Sequence, residues 1–143
     1  MELITDTIQR FRRLYGEEPE VIVTAPGRVN LLGEHTDYNN GFVLPAAIDR
    51  KIIVAAGRRK DEMLCLHSVD FQNSVRVALT KNTFDDRELW SNYPKGVARG
   101  FRDLGHLATG ANFCIRGNIP SADRKSTRLN SSHLKLSRMP SSA

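Results

Sequence analysis

Ile52-Ile53-Val54-Ala55-Ala56 is an uninterrupted apolar run, rich in β-branched residues and closed by Gly57. A run this short and this apolar reads as a buried strand, part of the stretch from Ile48 to Gly57. A buried strand cannot leave its backbone N–H and C=O groups unpaired, and the rest of the chain offers partners. Glu20–Ala25 and Arg28–Leu32 read as strands separated by a break at Pro26-Gly27. Phe42-Val43-Leu44 resumes an extended run. Met63–Val69 and Ser74–Leu79 are two more, the second cleanly alternating, with Asp70-Phe71-Gln72-Asn73 suited to a hairpin between them. Asn112–Arg116 is a last strand, ended by Gly117-Asn118-Ile119-Pro120. Gly33–Gly41 and Lys81–Asp86 are polar, turn-prone loops.

Two stretches have helical spacing. In residues 4–15, Ile4, Ile8, Phe11 and Tyr15 share one face, and Gly16 and Pro19 end the helix. Asn92–Leu104 reads as a second helix, with Val97, Phe101 and Leu104 turned inward. Strands and helices mix without βαβ regularity or internal repeats, which predicts an α+β fold.

The length, 143 residues, suits one modest domain with its own core. No apolar run is long enough to span a bilayer, and Met1–Asp6 lacks a basic segment followed by an apolar one, so neither a membrane nor a secretory route is expected. Cys65 and Cys114 lie far apart in apolar surroundings and read as small buried hydrophobes in a reducing cytoplasm, with no disulfide or metal role.

The net charge is +5, but it is uneven. Residues 123–143 hold Arg124, Lys125, Arg128, Lys135 and Arg138 against the single acid Asp123, so nearly all of the excess lies there. Such a tail reads blandly as a disordered basic segment, or functionally as a nucleic-acid arm. A third reading is favoured by its sequence. Asp123–His133 is the translation of a common sequencing-adaptor oligonucleotide. Ser137–Ala143 is the in-frame translation of the adaptor's other constant part, and Leu134-Lys135-Leu136 covers the variable index between them. Residues 123–143 are therefore set aside as a non-native tail, with 1–122 as the folding unit, and no nucleic-acid partner is expected.

The chemistry is concentrated in Ala25–Pro45. Glu34, His35, Thr36, Asp37 and Tyr38 stand in a row between Gly33 and Gly41. Glycines at both ends permit sharp turns. Carboxylates held in place are strong acceptors for vicinal hydroxyls, and a site that pairs every hydroxyl rejects analogues lacking one. An acid-rich, turn-bounded loop thus suits a sugar. Arg28, just upstream at a strand edge, could meet a phosphate or developing negative charge. Composition alone leaves other readings open. The run could ligate a metal, although it lacks the usual zinc spacing. His35 and Asp37 could belong to a triad, although no activated Ser or Cys accompanies them. A solvated turn is the plain alternative.

The unbroken block Gly-Arg-Val-Asn-Leu-Leu-Gly-Glu-His-Thr-Asp-Tyr-Asn-Asn-Gly-Phe-Val-Leu-Pro, residues 27–45, resembles the galactokinase signature at nearly every position. Galactokinases belong to the GHMP small-molecule kinases, which include homoserine and mevalonate kinases. The resemblance continues through Ile48-Asp49, Trp90-Ser91-Asn92-Tyr93, Lys95-Gly96-Val97 and Gly117-Asn118-Ile119-Pro120, and so covers residues 1 to about 122. It implies the N-terminal part of the GHMP kinase fold, a ribosomal-S5-like mixed sheet with helices, and transfer of phosphate from ATP with Mg2+ to the C1 hydroxyl of galactose. It implies that Glu34, His35, Thr36 and Asp37 would bind galactose, that Arg28 would stabilise the transition state, and that Trp90 would lie near the adenine, a core tryptophan being the alternative.

Family members follow Ile-Pro with a Gly-Leu-Ser-Ser-Ser-Ala loop that wraps the ATP phosphates at a helix N-terminus. Here Ile119-Pro120-Ser121-Ala122 runs into the adaptor-like tail. The family's catalytic Asp and magnesium-binding Glu also lie further on, so the 143-residue chain alone is expected to be inactive. A non-enzymatic galactose sensor and a related sugar kinase, for example one for N-acetylgalactosamine, are the rival readings.

Overall fold

The computed structural model describes residues 2–32, 42–106 and 109–119. Helix α1 (Glu2–Tyr15) leads and ends at Gly16, whose φ of +71° takes the chain through the left-handed region that glycine tolerates best. Five strands follow: β1 (Val21–Leu32), β2 (Leu44–Arg58), β3 (Met63–Ser68), β4 (Asn73–Ala78) and β5 (Ala111–Gly117). Helix α2 (Asn92–Asp103) lies between β4 and β5, preceded by single 3-10 turns at Leu79–Lys81 and Leu89–Ser91. The strands form one mixed sheet in the order β1-β2-β5-β3-β4. All neighbours are antiparallel except β3 and β5. The class is α+β.

Neighbouring residues of a strand face opposite sides of a sheet, and β5 shows what each side holds. Cys114 packs with Ala55 and Phe11 beneath α1. Phe113, next to it, joins Leu64, Leu66, Leu79, Val77, Trp90 and Ala98 on the α2 side. Helices therefore cover both faces. Tyr15 closes the α1 side, its hydroxyl donating to Phe113 O at 3.0 Å. The α1 face matches the sequence pattern: Phe11 is fully buried and Ile4, Ile8 and Tyr15 are half-buried.

Two expectations are corrected. Pro26-Gly27 does not divide two strands. The backbone pairs with β2 on both sides of it, and 12 residues run as one strand with a register shift. Proline's fixed φ is compatible with extended backbone, and pairing with the longer β2 holds the two halves together. Phe42-Val43-Leu44 leads into β2, which Leu44 opens.

The second correction concerns α2. Val97, Phe101 and Leu104 do not face inward; they are 61%, 53% and 72% exposed. The buried side carries Lys95 and Ala98. Small Ala98 lets the helix axis lie close over Leu64, Leu66 and Leu79. Polar contacts fix that orientation: Asn82 Nδ2 donates to Lys95 O at 2.6 Å, and the Arg102 guanidinium donates to Leu79 O.

Candidate functional site

β1 carries the site's first element. Pro26 stands opposite Lys51, but Arg28 stands opposite Ala47, so a two-residue step on β1 is matched by a four-residue step on β2. Bulges of this kind bend a strand and re-aim its side chains. The slack in β2 lets Ile48 fold over Gly27: Ile48 Cδ1 and Ile119 Cδ1 both lie 3.1 Å from where a β-carbon on Gly27 would be. Gly27 is thus the point where β1, the β2 bulge and the exit of β5 meet. Arg28, exposed, follows at once.

The exit of β5 is pinned by contacts that no local motif announces. Lys51 N donates to Asn118 Oδ1 at 2.8 Å, and Asn118 N donates to Lys51 O at 3.1 Å. Gly117 N donates to Asp70 Oδ2 at 2.7 Å. Burial raises the Asp70 carboxyl above its ordinary pKa, and the Gly117 N–H pulls it back down. Asn118 carried one sequence signal, an amide able to bond backbone beside a strand end. Asp70 carried none, because its partner lies 47 residues on in the chain.

Glu34, His35, Thr36 and Asp37 lie outside the described residues. The residues that flank them are described: Leu32, four residues beyond Arg28, pairs with Leu44 at the end of the β1–β2 pairing. Trp90 sits in the 3-10 turn before α2. It packs on the Leu64–Leu66 cluster, stacks on Phe71 with ring centroids 6.2 Å apart, and donates from Nε1 to Glu88 Oε2 at 3.2 Å. Its ring and its N–H are thus engaged by the protein's own core.

The register relates these places. Gly117 pairs with Ile52, which pairs with Ala25, and Asp70 in the β3–β4 turn reaches Gly117. Arg28, the β5 exit and the Phe71–Trp90 stack therefore share one end of the sheet. Arg28 is on its β1 edge and Trp90 on its β3–β4 side, with the β5 exit between. Three strand spacings separate β1 from β3, roughly 14 Å, so Arg28 and Trp90 do not form one cluster.

Both cysteines are free. Cys114 is fully buried, and burial pushes its thiol up to about 11, the behaviour of a packed hydrophobe. Cys65 is half-buried. Among the described residues no group of three or more His, Cys, Asp or Glu side chains could hold a metal ion, and no helix is long and apolar enough to cross a membrane.

Comparison with known proteins gives this arrangement a family. Residues 9–58, from within α1 to the end of β2, match the galactokinase galactose-binding signature. The galactokinase of Streptomyces coelicolor is 43% identical over 122 residues, covering 84% of this chain and 32% of that protein. The crystal structure of Lactococcus lactis galactokinase complexed with galactose superposes with a TM-score of 0.71 at 34% identity, covering 82% of this chain and 31% of that one. Methanococcus jannaschii mevalonate kinase shares the fold, with a TM-score of 0.56 at 20% identity over 70% of this chain and 33% of its own. The chain spans about a third of the length of the curated relatives it matches. By its signature across β1 and β2, its sequence relatives and its sheet, the chain belongs to the galactokinase family of GHMP kinases.

Proposed function

We propose that this chain is the galactose-binding part of an enzyme that phosphorylates D-galactose at its C1 hydroxyl with ATP, giving galactose 1-phosphate in the cytoplasm. The observation that carries the reading is the match of residues 9–58 to the galactose-binding signature, with Arg28 on β1 four residues before that strand ends. In this reading Glu34, His35, Thr36 and Asp37 accept and donate hydrogen bonds to the sugar hydroxyls, and the two carboxylates give those bonds their strength. In the same reading Arg28, on the strand that leads to these residues, supplies a positive charge to oppose negative charge developing at the acceptor oxygen. Trp90 lies across the same end of the sheet, on its β3–β4 side.

The described residues do not fit Mg2+ or ATP by themselves. No group of three or more His, Cys, Asp or Glu side chains that could hold a metal ion is among them, and the Trp90 ring is packed by Phe71 and the core. The reading therefore assigns nucleotide and metal to polypeptide that the longer relatives possess and this chain does not match, and no step is derived through either. Phosphoryl transfer requires both reactants to be positioned together. The 143-residue chain alone should bind galactose and show no turnover.

The test is titration of the purified chain with galactose and with glucose. Saturable binding of galactose with weaker binding of glucose supports the reading; equal or absent binding of both overturns it. An ATP-dependent phosphorylation assay on the same sample tests the predicted inactivity. Residues 123–143 we assign to an adaptor-derived tail outside the domain formed by 1–122. A 1–122 chain should bind galactose as well as the full one, and genomic DNA encoding the tail in the source gene would refute the assignment.

A further inference from the structure

The β1–β2 bulge opens at Pro26 and Lys51, and Lys51 is braced from the far side of β2. In an antiparallel ladder the N–H and C=O of one residue point to the same neighbour. At Lys51 both point towards β5, which has already ended at Gly117, opposite Ile52. Asn118 answers both. Its N–H donates to Lys51 O at 3.1 Å, and its side-chain Oδ1 accepts from Lys51 N at 2.8 Å. The side chain thus stands in for the main-chain acceptor that a further strand residue would offer. The ladder gains one more rung, and the next residue, Ile119, turns out of it onto Gly27.

Asp70 holds the same exit from the β3–β4 turn. That turn is tied to β5 by Val69 N donating to Ile115 O at 2.9 Å, and it is closed by Gln72 N donating to Val69 O at 3.3 Å. From it Asp70 Oδ2 accepts the Gly117 N–H at 2.7 Å. A β-carbon on Gly117 would stand 3.2 Å from Ile52 Cγ1 and 3.8 Å from Asp70 Oδ2, so the exit is closed on both sides. Neither Asp70 nor Asn118 lies within the matched residues 9–58. Yet together they fix Ile119, which with Ile48 fills the space over Gly27, the residue before Arg28.

We infer that Asn118 and Asp70 are positioning residues for galactose binding: they hold the β1–β2 bulge in the register on which the sugar contacts of the segment after β1 depend. The inference rests on the proposed galactose reading.

The test is galactose titration of the 143-residue chain and its variants, with backbone amide NMR of the same samples without sugar. Asn118→Ala removes the acceptor of Lys51 N and should weaken galactose binding roughly tenfold. Asn118→Asp keeps an acceptor oxygen and should restore most of the affinity. Asp70→Ala should weaken binding about threefold, and Asp70→Asn should restore it. This second pair carries the comparison if Asn118→Ala does not fold. Tyr15→Phe, on the α1 side, is the control for lost stability alone: it should destabilise the chain and leave the affinity unchanged. Without sugar, Asn118→Ala should move the Gly27 and Arg28 amide signals, and Tyr15→Phe should not. Affinity indifferent to both alanine variants overturns the inference. So does a loss that the conservative variants fail to rescue, or one that Tyr15→Phe reproduces. A parent chain that binds no galactose overturns the proposed function instead. The amide signals then decide the brace by themselves, and Gly27 and Arg28 signals unmoved by Asn118→Ala overturn it.

Discussion

Ile119, the last described residue of the β5 exit, closes over Gly27 in the middle of β1, its Cδ1 3.1 Å from the place a β-carbon would take. The contact joins residues 92 positions apart in the sequence and sets the strand that carries Arg28 against the strand end that leads out of the sheet.

Gly27→Ala tests that junction. The added methyl must push Ile119 and Ile48 aside by a few tenths of an ångström, and side-chain ends can yield that much. Overpacking at such a site costs about 1–3 kcal/mol. Urea unfolding should show a lower midpoint for Gly27→Ala. The double variant with Ile119→Val should cost at least ~0.5 kcal/mol less than the two single losses together, because both act on one contact.

Tyr15→Phe removes the hydroxyl that donates to Phe113 O at 3.0 Å. Burial, reinforced by the neighbouring Cys65 and Cys114, raises the phenol's pKa above its usual value, so it stays a neutral donor at any working pH. The loss should be about 1 kcal/mol in denaturant unfolding, with the sheet intact by circular dichroism.

His67 predicts a pH dependence. It is buried, Nδ1 pairs with Ser74 Oγ at 2.8 Å, and Nε2 has no partner among the described residues. Burial first, and Arg10 second, hold its pKa below the usual 6.5. The folded state therefore binds the proton less readily than the unfolded state. Stability is intact above pH 6.5 and falls as the pH drops from there towards the folded-state value. Thermal unfolding between pH 7.5 and about 5 should show a downward slope that His67→Phe flattens.

Glu34→Gln and Asp37→Asn keep size and remove charge from the proposed sugar loop. A charge-assisted bond is worth about 1.5–3 kcal/mol, so each should weaken galactose roughly 10- to 100-fold in the binding titration. Thr36→Ala should cost less, its hydroxyl being neutral. Melting temperatures measured alongside separate lost binding from lost folding.

What the sequence by itself determined is whatever rests on short range. Two strand-like runs flanking Asp70–Asn73 specified a hairpin, spacing over 4–15 specified α1 and its buried face, and a contiguous block carried the family signature. Tertiary structure decided what depends on partners. Whether Pro26-Gly27 breaks a strand depends on β2 pairing on both sides of it. Which side of α2 faces in depends on what lies beneath: the sheet takes the side with small Ala98 and leaves Val97 and Phe101 in water. Amphipathic spacing marks an apolar face and does not name its neighbour. Strand pairing order, which sets Arg28 beside the β5 exit and Trp90 across the sheet, arises from contacts too far apart in sequence for any local pattern to hold.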